Sequence, residues 1–215
     1  MLADLKKIPL FHGLREDDLN AIAKKAVAKS FRKNAVVITE GEFSDVLYFI
    51  LSGRVKIYLN DRNGKEFVLD TKGAGEYFGE MALDEGPRSA SVSTVMPCQF
   101  TAISIPEFKN VLLKHPQLAL QVITNLIHMG RTLDKNVRSL AMLDVYGRVS
   151  KMLLDLAVEE GGILVIPGKL TQQEMASRVG TSREMINRIL KDLTGSGYIK
   201  VSGKRLIINK PLRSR

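Results

Sequence analysis

The sequence predicts an α+β fold in which an N-terminal β-roll precedes a long helix and a C-terminal, mainly helical domain. Three observations support this prediction. Short β-branched and aromatic runs separated by glycines fill the first half of the chain, apolar residues recur at helical spacing through its middle, and two capped helices meet at a glycine near its end. The 215 residues are enough for two domains, each with a core of its own.

The β-roll is predicted from the spacing of short runs. A short amphipathic helix, marked by Leu19, Ile22 and Ala26, comes first. Strands are then expected at residues 36–38, 46–51, 55–59 and 67–69, between Gly41, Gly53, Gly64, Gly73 and Gly75. We therefore expect an antiparallel β-roll or barrel of about eight strands that ends near Ile105.

The long helix begins at Pro106 and carries a repeating apolar stripe. Its members recur at alternating steps of four and three, and they are Ala119, Ile123, Leu126, Gly130, Leu133, Val137 and Leu140. This spacing is typical of a coiled-coil seam and favours a homodimer, although a helix packed against its own domain needs the same stripe. Gly130 is a weak point in the seam.

A second helix is expected from about Asp144 to Val158, with Gly161 and Gly162 suited to its stop. The predicted domains are residues 1–110 for the β-roll, 111–139 for the dimerisation helix and 140–215 for the C-terminal domain.

The net charge of +9 is concentrated at the C-terminal end. Residues 161–215 contain eleven Lys and Arg against three Asp and Glu, whereas the preceding residues are nearly balanced. A polyanion such as DNA is the partner that this distribution favours, with a solvated basic surface as the alternative.

The cysteine count and the hydropathy exclude several kinds of cysteine-built site and a membrane-spanning segment. Cys98 is the only cysteine, so an intrachain disulfide, a four-cysteine iron–sulfur cluster and a cysteine-built zinc site are excluded, and a reducing cytoplasm fits. No apolar run approaches the roughly 20 residues of a membrane span, so we expect a cytoplasmic protein with no membrane partner.

The stretch from Tyr77 to Val92 has the composition of an anion cradle. Gly79 lets backbone N–H groups approach a phosphate, and a helical turn at Glu80 would direct its N-terminal end at that anion. Arg88 supplies charge and a planar fork for two oxygens, and Ser89 adds a hydroxyl donor. The Glu80 carboxylate suits a ribose hydroxyl. A surface salt bridge between Glu80 and Arg88 is the alternative interpretation.

This half of the chain resembles the cyclic nucleotide-binding domain family over about residues 10–110. The matching residues, in order, are Gly41, Tyr48, Phe49, Ile50, Gly53, Gly64, Phe78, Gly79, Glu80, Pro87, Arg88, Ser89 and Ala90. The resemblance implies a phosphate-binding cassette made of Gly79, Glu80, Met81, Ala82, Arg88 and Ser89.

Ser89 after Arg88 resembles the bacterial regulators that bind cyclic AMP, which we expect as the allosteric effector. The resemblance places a Thr-Ser pair for the adenine where this chain has Leu133 and Asp134, and Thr132 is one residue earlier. Leu133 cannot donate a hydrogen bond. Cyclic GMP, a cyclic dinucleotide and ligand-independent activity therefore stay open as alternatives.

A helix-turn-helix is predicted near the C-terminus. Thr171 with Glu174 and Thr181 with Glu184 have the spacing of capping boxes, and Gly180 separates the two helices. The second helix has an apolar stripe opposite a polar face of Arg183, Glu184, Asn187, Arg188 and Lys191. Arginine can read guanine, and glutamate can accept from the cytosine amino group. Solvated cations and a self-capping Glu184 are the alternative.

With these residues the resemblance extends to the Crp/Fnr regulator superfamily and is closest to its cyclic-AMP receptor protein branch. Further matches are residues 140–145, Gly147, Arg148, Ser182 to Glu184 and Arg188 to Lys191. The resemblance implies a winged helix-turn-helix whose Arg183, Glu184 and Arg188 read a palindromic TGTGA-like site. It implies phosphate contacts from Thr171, Gln173, Ser182, Ser202, Gly203 and Lys204, and RNA polymerase as a partner. Asn187 replaces a smaller residue of that branch.

The sequence argues against two other functional classes, a redox sensor and an enzyme. A haem- or cluster-based redox sensor could use the same scaffold, but one cysteine cannot hold a cluster, and His12, His115 and His128 lack ligand spacing. For an enzyme, we find neither a nucleophile–base pair nor a convincing pair of acids, because Asp84 and Glu85 fit the rim of a loop. We therefore expect no enzymatic activity, no haem and no bound metal.

Overall fold

The structure, a computed structural model, describes residues 1–168, 170–203 and 205–212. The helices are α1 Leu2–Leu5, α2 Glu16–Lys25, α3 Ile105–Lys114, α4 Pro116–Met142, α5 Val145–Leu156, α6 Gln172–Val179 and α7 Arg183–Gly195. Two short 3-10 helices occupy Pro9–Phe11 and Glu80–Asp84.

Within the described residues the chain forms twelve strands. They are β1 Val27–Phe31, β2 Val36–Ile38, β3 Val46–Ser52, β4 Arg54–Asn60, β5 Glu66–Gly73, β6 Tyr77–Phe78, β7 Ser91–Thr94, β8 Cys98–Ser104, β9 Val158–Glu160, β10 Ile163–Ile166, β11 Ile199–Ser202 and β12 Arg205–Ile208. The first eight end at Ser104, so the predicted number of strands and the end of the roll are confirmed.

The roll consists of two four-stranded sheets, in the orders β1-β8-β3-β6 and β2-β7-β4-β5. The pairings β1 with β8 and β3 with β8 are antiparallel, as predicted. Strands that are distant in sequence pair with one another, which gives the roll its jelly-roll-like connectivity. The core contains the fully buried rings of Phe49, Phe78 and Phe100, and Phe78 and Phe100 lie edge to face at 5.3 Å.

The chain divides into two compact units. One contains residues 1–59 and 68–131, and the other contains residues 60–67 and 132–215. In the second unit, the sheet β11-β12-β10-β9 accompanies α5, α6 and α7. Its core is built from Val149, Leu153, Met175, Ile186 and Leu193.

Two of the predicted helices have different bounds in the structure. The single stretch expected from Pro106 is two helices, because α3 ends at Lys114 and Pro116 begins α4. A proline lacks the N–H that would continue α3 but is tolerated in a first helical turn.

The predicted second helix was too long. Helix α5 begins after Asp144, whose side chain accepts a hydrogen bond from the Gly147 N–H, and it ends at Leu156. Gly161 and Gly162 do not stop this helix. With φ values of 59° and 80°, they form the tight turn between β9 and β10, a hairpin that the prediction missed.

Candidate functional site

The glycine-opened turn predicted at Gly79 is present. Gly79 has φ 90° and precedes the 3-10 helix Glu80–Asp84, which confirms the expected helical turn. A Cβ at Gly79 would lie 2.9 Å from Arg88 Nη1 and 3.0 Å from the Val46 carbonyl oxygen. Both the backbone conformation and this close approach therefore require glycine.

Arg88 is held inside the first unit and is only 4% exposed. Its Nη1 donates to the Gly79 carbonyl at 2.8 Å, and its Nη2 donates to Ser44 Oγ and to the Val46 carbonyl. Its Nε has no hydrogen-bond partner in the described structure. The guanidinium thus contacts neutral acceptors and forms no ion pair with the described residues.

Burial lowers the pKa of Arg88, and the nearby Tyr48, Asp45 and Glu80 act in the opposite direction. A buried cation without a carboxylate partner is an unfavourable arrangement that a bound anion can relieve. This environment therefore fits an anionic ligand better than a structural salt bridge.

Glu80 lies in the same turn and is 6% exposed. Glu80 is not paired with Arg88, so the alternative interpretation of a surface salt bridge between them does not hold. Glu80 Oε1 is instead 3.6 Å from Lys72 Nζ. Its Oε2 is buried and has no hydrogen-bond partner among the described residues. A ligand hydroxyl would supply the missing donor.

The other cassette residues differ in exposure. Ala82 is buried, whereas Met81 and Ser89 are exposed. Thr132, Leu133 and Asp134, predicted to contact the base, lie on α4 with exposed side chains, within the second compact unit.

Sequence reasoning missed Lys72 and Ser44, which contact the two functional side chains of the turn. Lys72 lies on β5 but beyond residues 67–69, where the sequence predicts the strand. An isolated lysine or serine carries no local signal of such a contact, because the contact joins positions that are distant in the chain.

Helix α4 exposes a stripe of large apolar side chains. Its exposed members are Leu120, Ile123, Ile127, Leu133, Val137 and Leu140. Four of these were expected in the seam, and Gly130 is exposed beside them. Leu126, also expected there, is partly buried against the core of the first unit, and Ile127 is exposed in its place. An exposed apolar stripe of this length marks an interaction surface.

The helix-turn-helix consists of α6, a left-handed Gly180 and α7. Thr171 and Glu174 form the predicted capping box. The expected second box at Thr181 was wrong, because Thr181 is buried and the Ser182 side chain instead accepts from the Met185 N–H. The cap therefore lies one residue later than predicted.

The polar face of α7 is available to a partner. Arg183, Glu184, Arg188 and Lys191 are exposed, while Ile186 and Ile189 are buried on the other side. The backbone N–H of Glu184 and the Ser182 hydroxyl hold the pKa of the Glu184 carboxyl below its usual value, so the group stays an acceptor. Asn187 is half-buried, and its Oδ1 accepts from Gln172 Nε2 at 3.2 Å.

The hairpin β11–β12 lies in the position expected for a wing, and Ser202 pairs with Arg205 beside its turn. Ser202 and Gly203 are exposed, as are Thr171 and Gln173. Lys204, another expected phosphate contact, lies outside the described residues.

Two structural features are absent from the described part of the chain. It contains no group of three or more His, Cys, Asp or Glu side chains that could hold a metal ion. Its helices are all too short or too polar to cross a bilayer.

Comparison with known proteins gave matches in both units. Residues 28–115 match the cyclic nucleotide-binding domain, and residues 147–213 match the Crp-like helix-turn-helix domain. The CRP-like cAMP-activated global transcriptional regulator of Mycobacterium tuberculosis is 33% identical over 95% of this chain and 94% of its own length. The cAMP-activated global transcriptional regulator Vfr of Pseudomonas aeruginosa is 29% identical over 94% of this chain and 98% of its own.

Among solved structures, the c-di-GMP responsive global regulator CLP of Xanthomonas campestris aligns with a TM-score of 0.78. It covers 91% of this chain and 100% of its own chain at 24% identity, a level at which the likeness concerns the fold.

Proposed function

This chain belongs to the Crp/Fnr family of transcriptional regulators, and on that premise we propose that it is a homodimer that binds cyclic AMP and a palindromic TGTGA-like DNA site. The family consists of DNA-binding regulators that carry a cyclic nucleotide-binding domain, not of enzymes. In the proposed function cyclic AMP favours the DNA-binding arrangement of the dimer. RNA polymerase is the partner at the promoter, in the cytoplasm.

One observation carries the ligand assignment: Arg88 and Glu80 are both buried beside the turn that Gly79 opens, and neither is paired with the other. The Arg88 guanidinium has only neutral acceptors, and Glu80 Oε2 has no donor in the described structure. A cyclic nucleotide has a phosphodiester anion for the first group and a ribose hydroxyl for the second.

Cyclic AMP is favoured over other nucleotides by two observations. Ser89 follows Arg88, and the M. tuberculosis and P. aeruginosa relatives are described as cAMP-activated. Leu133 and Asp134 leave the base without the hydroxyl pair of the receptor branch. Cyclic GMP and cyclic di-GMP are therefore the alternatives.

Calorimetry of the purified chain against cyclic AMP, cyclic GMP and cyclic di-GMP tests the assignment. We expect cyclic AMP to bind most tightly and to increase affinity for a TGTGA-like palindrome in a DNA shift assay. Tighter binding of another nucleotide, with activation of DNA binding by it, would reassign the effector. Full DNA binding that no nucleotide changes would contradict the allosteric proposal.

DNA recognition is assigned to the exposed face of α7. Arg183 and Arg188 can read guanine through paired hydrogen bonds, and Glu184 can accept from a cytosine amino group. Thr171, Gln173, Ser182, Ser202, Gly203 and Lys204 are proposed to position this face through phosphate contacts.

The homodimer is assigned to the apolar stripe of α4. A second copy of the same helix would cover Ile123, Ile127 and Val137, and a two-fold axis matches a palindromic site. Two recognition helices about 34 Å apart would enter successive major grooves on one face of DNA.

Ile127→Glu is expected to dissociate the dimer. The substitution places two unpaired carboxylates in the proposed interface, so the dimer dissociation constant should rise by about 100-fold or more. Sedimentation equilibrium measures this change. The affinity for a palindrome should fall with it, because one monomer reaches one half-site.

Leu113→Glu is the matched control, since Leu113 is 80% exposed on α3, outside the stripe. It should leave the dimer intact. An Ile127→Glu chain that stays dimeric at wild-type strength would refute the assigned interface.

A further inference from the structure

Lys72 is a lysine in an enclosed position. It extends from β5, and its side chain is only 14% exposed. Its Nζ donates to the Tyr77 carbonyl at 2.9 Å, lies 3.6 Å from Glu80 Oε1 and is 5.5 Å from the centre of the Tyr77 ring. Lysines are seldom buried to this degree unless they are paired, and the Glu80 carboxylate is the anionic partner of this ammonium.

The contacts of Lys72 continue to the long helix. The Tyr77 hydroxyl accepts a hydrogen bond from Asn125 Nδ2, 3.1 Å away on α4. Burial raises the pKa of Tyr77, which keeps its side chain a neutral phenol. The hydrogen bond from Asn125 therefore restrains the Tyr77 ring, over which the ammonium of Lys72 lies.

The two oxygens of Glu80 have different surroundings. Oε1 faces the ammonium, while Oε2 is buried without a hydrogen-bond donor in the described structure. A carboxylate held through one oxygen presents the other in a fixed direction. Such a preorganised acceptor discriminates between ligands that do and do not carry a hydroxyl at that point.

We propose that Lys72 is a positioning residue for the ligand: it holds Glu80 through Oε1, so that Oε2 selects nucleotides with a free ribose 2′-hydroxyl. This inference rests on the proposed function, because it requires a cyclic nucleotide at Arg88. It adds a residue that acts through Glu80 and sets selectivity for the sugar.

The test is the ratio of two affinities, for cyclic AMP and for 2′-deoxy cyclic AMP, measured by calorimetry. In the wild-type chain cyclic AMP should bind at least about tenfold more tightly, the value of one hydrogen bond to a charged group. In Lys72→Met the ratio should fall to about threefold or less, because Glu80 loses the group that orients it. Lys72→Arg should restore most of the ratio.

Lys109→Met is the charge-matched control. Lys109 pairs with the exposed Glu85 on the surface of the same unit, so its removal changes the net charge equally without touching Glu80. The ratio should stay at the wild-type value. Lys72→Gln, compared with the other variants by circular dichroism and thermal melting, replaces Lys72→Met if the latter does not fold.

Three results would overturn the inference. Lys72→Met could lower the affinities for both nucleotides by the same factor, which would show that Lys72 contributes only its positive charge to binding. It could leave both affinities unchanged. The wild-type chain could bind both nucleotides equally, which would show that Glu80 does not receive the hydroxyl although nucleotide binding is intact. A wild-type chain that binds neither compound would instead contradict the proposed function, and the inference with it.

Discussion

Arg88→Leu is expected to reduce the affinity for cyclic AMP by about 100-fold or more and to abolish the response of DNA binding to it. The reason is that leucine removes the buried cation and both N–H groups of a paired contact with the phosphodiester, each bond being worth about 1.5–3 kcal/mol. Calorimetry with cyclic AMP and a DNA shift assay measure the two effects.

Arg88 also holds part of its own unit together, so this experiment needs a control. Its guanidinium donates to Gly79, Ser44 and Val46. Ser44→Ala removes one of these acceptors and keeps the cation, so nucleotide affinity should change by less than about tenfold, the value of one hydrogen bond. If Arg88→Leu is folded by circular dichroism and binds cyclic AMP like the wild-type chain, the assigned pocket is wrong.

Arg183→Ala is expected to cost about 1–3 kcal/mol of binding to the cognate site and to relax discrimination at one base pair. Arg183 lies in the first turn of α7 and is exposed, so its guanidinium is free to meet a guanine edge. Affinities for the cognate palindrome and for sites with single base-pair changes, at fixed salt concentration, measure the effect. The variant should bind the cognate site and its changed version about equally.

Arg178→Ala is the matched control for this comparison. Arg178 lies in the last turn of α6, so its loss changes the charge of the domain equally and leaves the exposed face of α7 intact. Discrimination among sites should stay at the wild-type level. If Arg183→Ala instead weakens all sequences uniformly, Arg183 contacts a phosphate and reads no base.

Much of the fold could be predicted because its signals are local. The strand at Val36–Ile38 was predicted to the residue, and Gly180 was correctly identified as the turn between α6 and α7. Alternating hydrophobicity, turn glycines and the Thr171 capping box each act within a few residues. Such signals can be read without knowledge of the rest of the chain.

The errors occurred where two local signals compete. Pro116 divides the predicted helical stretch, because proline cannot continue α3 but is tolerated in the first turn of α4. The pair Gly161 and Gly162 suits both a helix end and a hairpin turn. In the structure β9 pairs with β10 on either side of these glycines, so they form the hairpin turn. Thr181 and Ser182 can each cap α7, and burial of Thr181 leaves the cap to Ser182.

By itself, the sequence determined the order of the β-roll, the long helical region and the helix-turn-helix, and it identified Gly79, Glu80 and Arg88 as the candidate anion site, since these depend on residues close together in the chain. Only the tertiary structure decided that Arg88 is buried against neutral carbonyls, that Lys72 faces Glu80, and that Ile127 is exposed where Leu126 was expected. The physical reason is that burial and ion pairing depend on which distant segments pack together. Strand β5, the turn at Gly79 and helix α4 become neighbours only when the first unit folds.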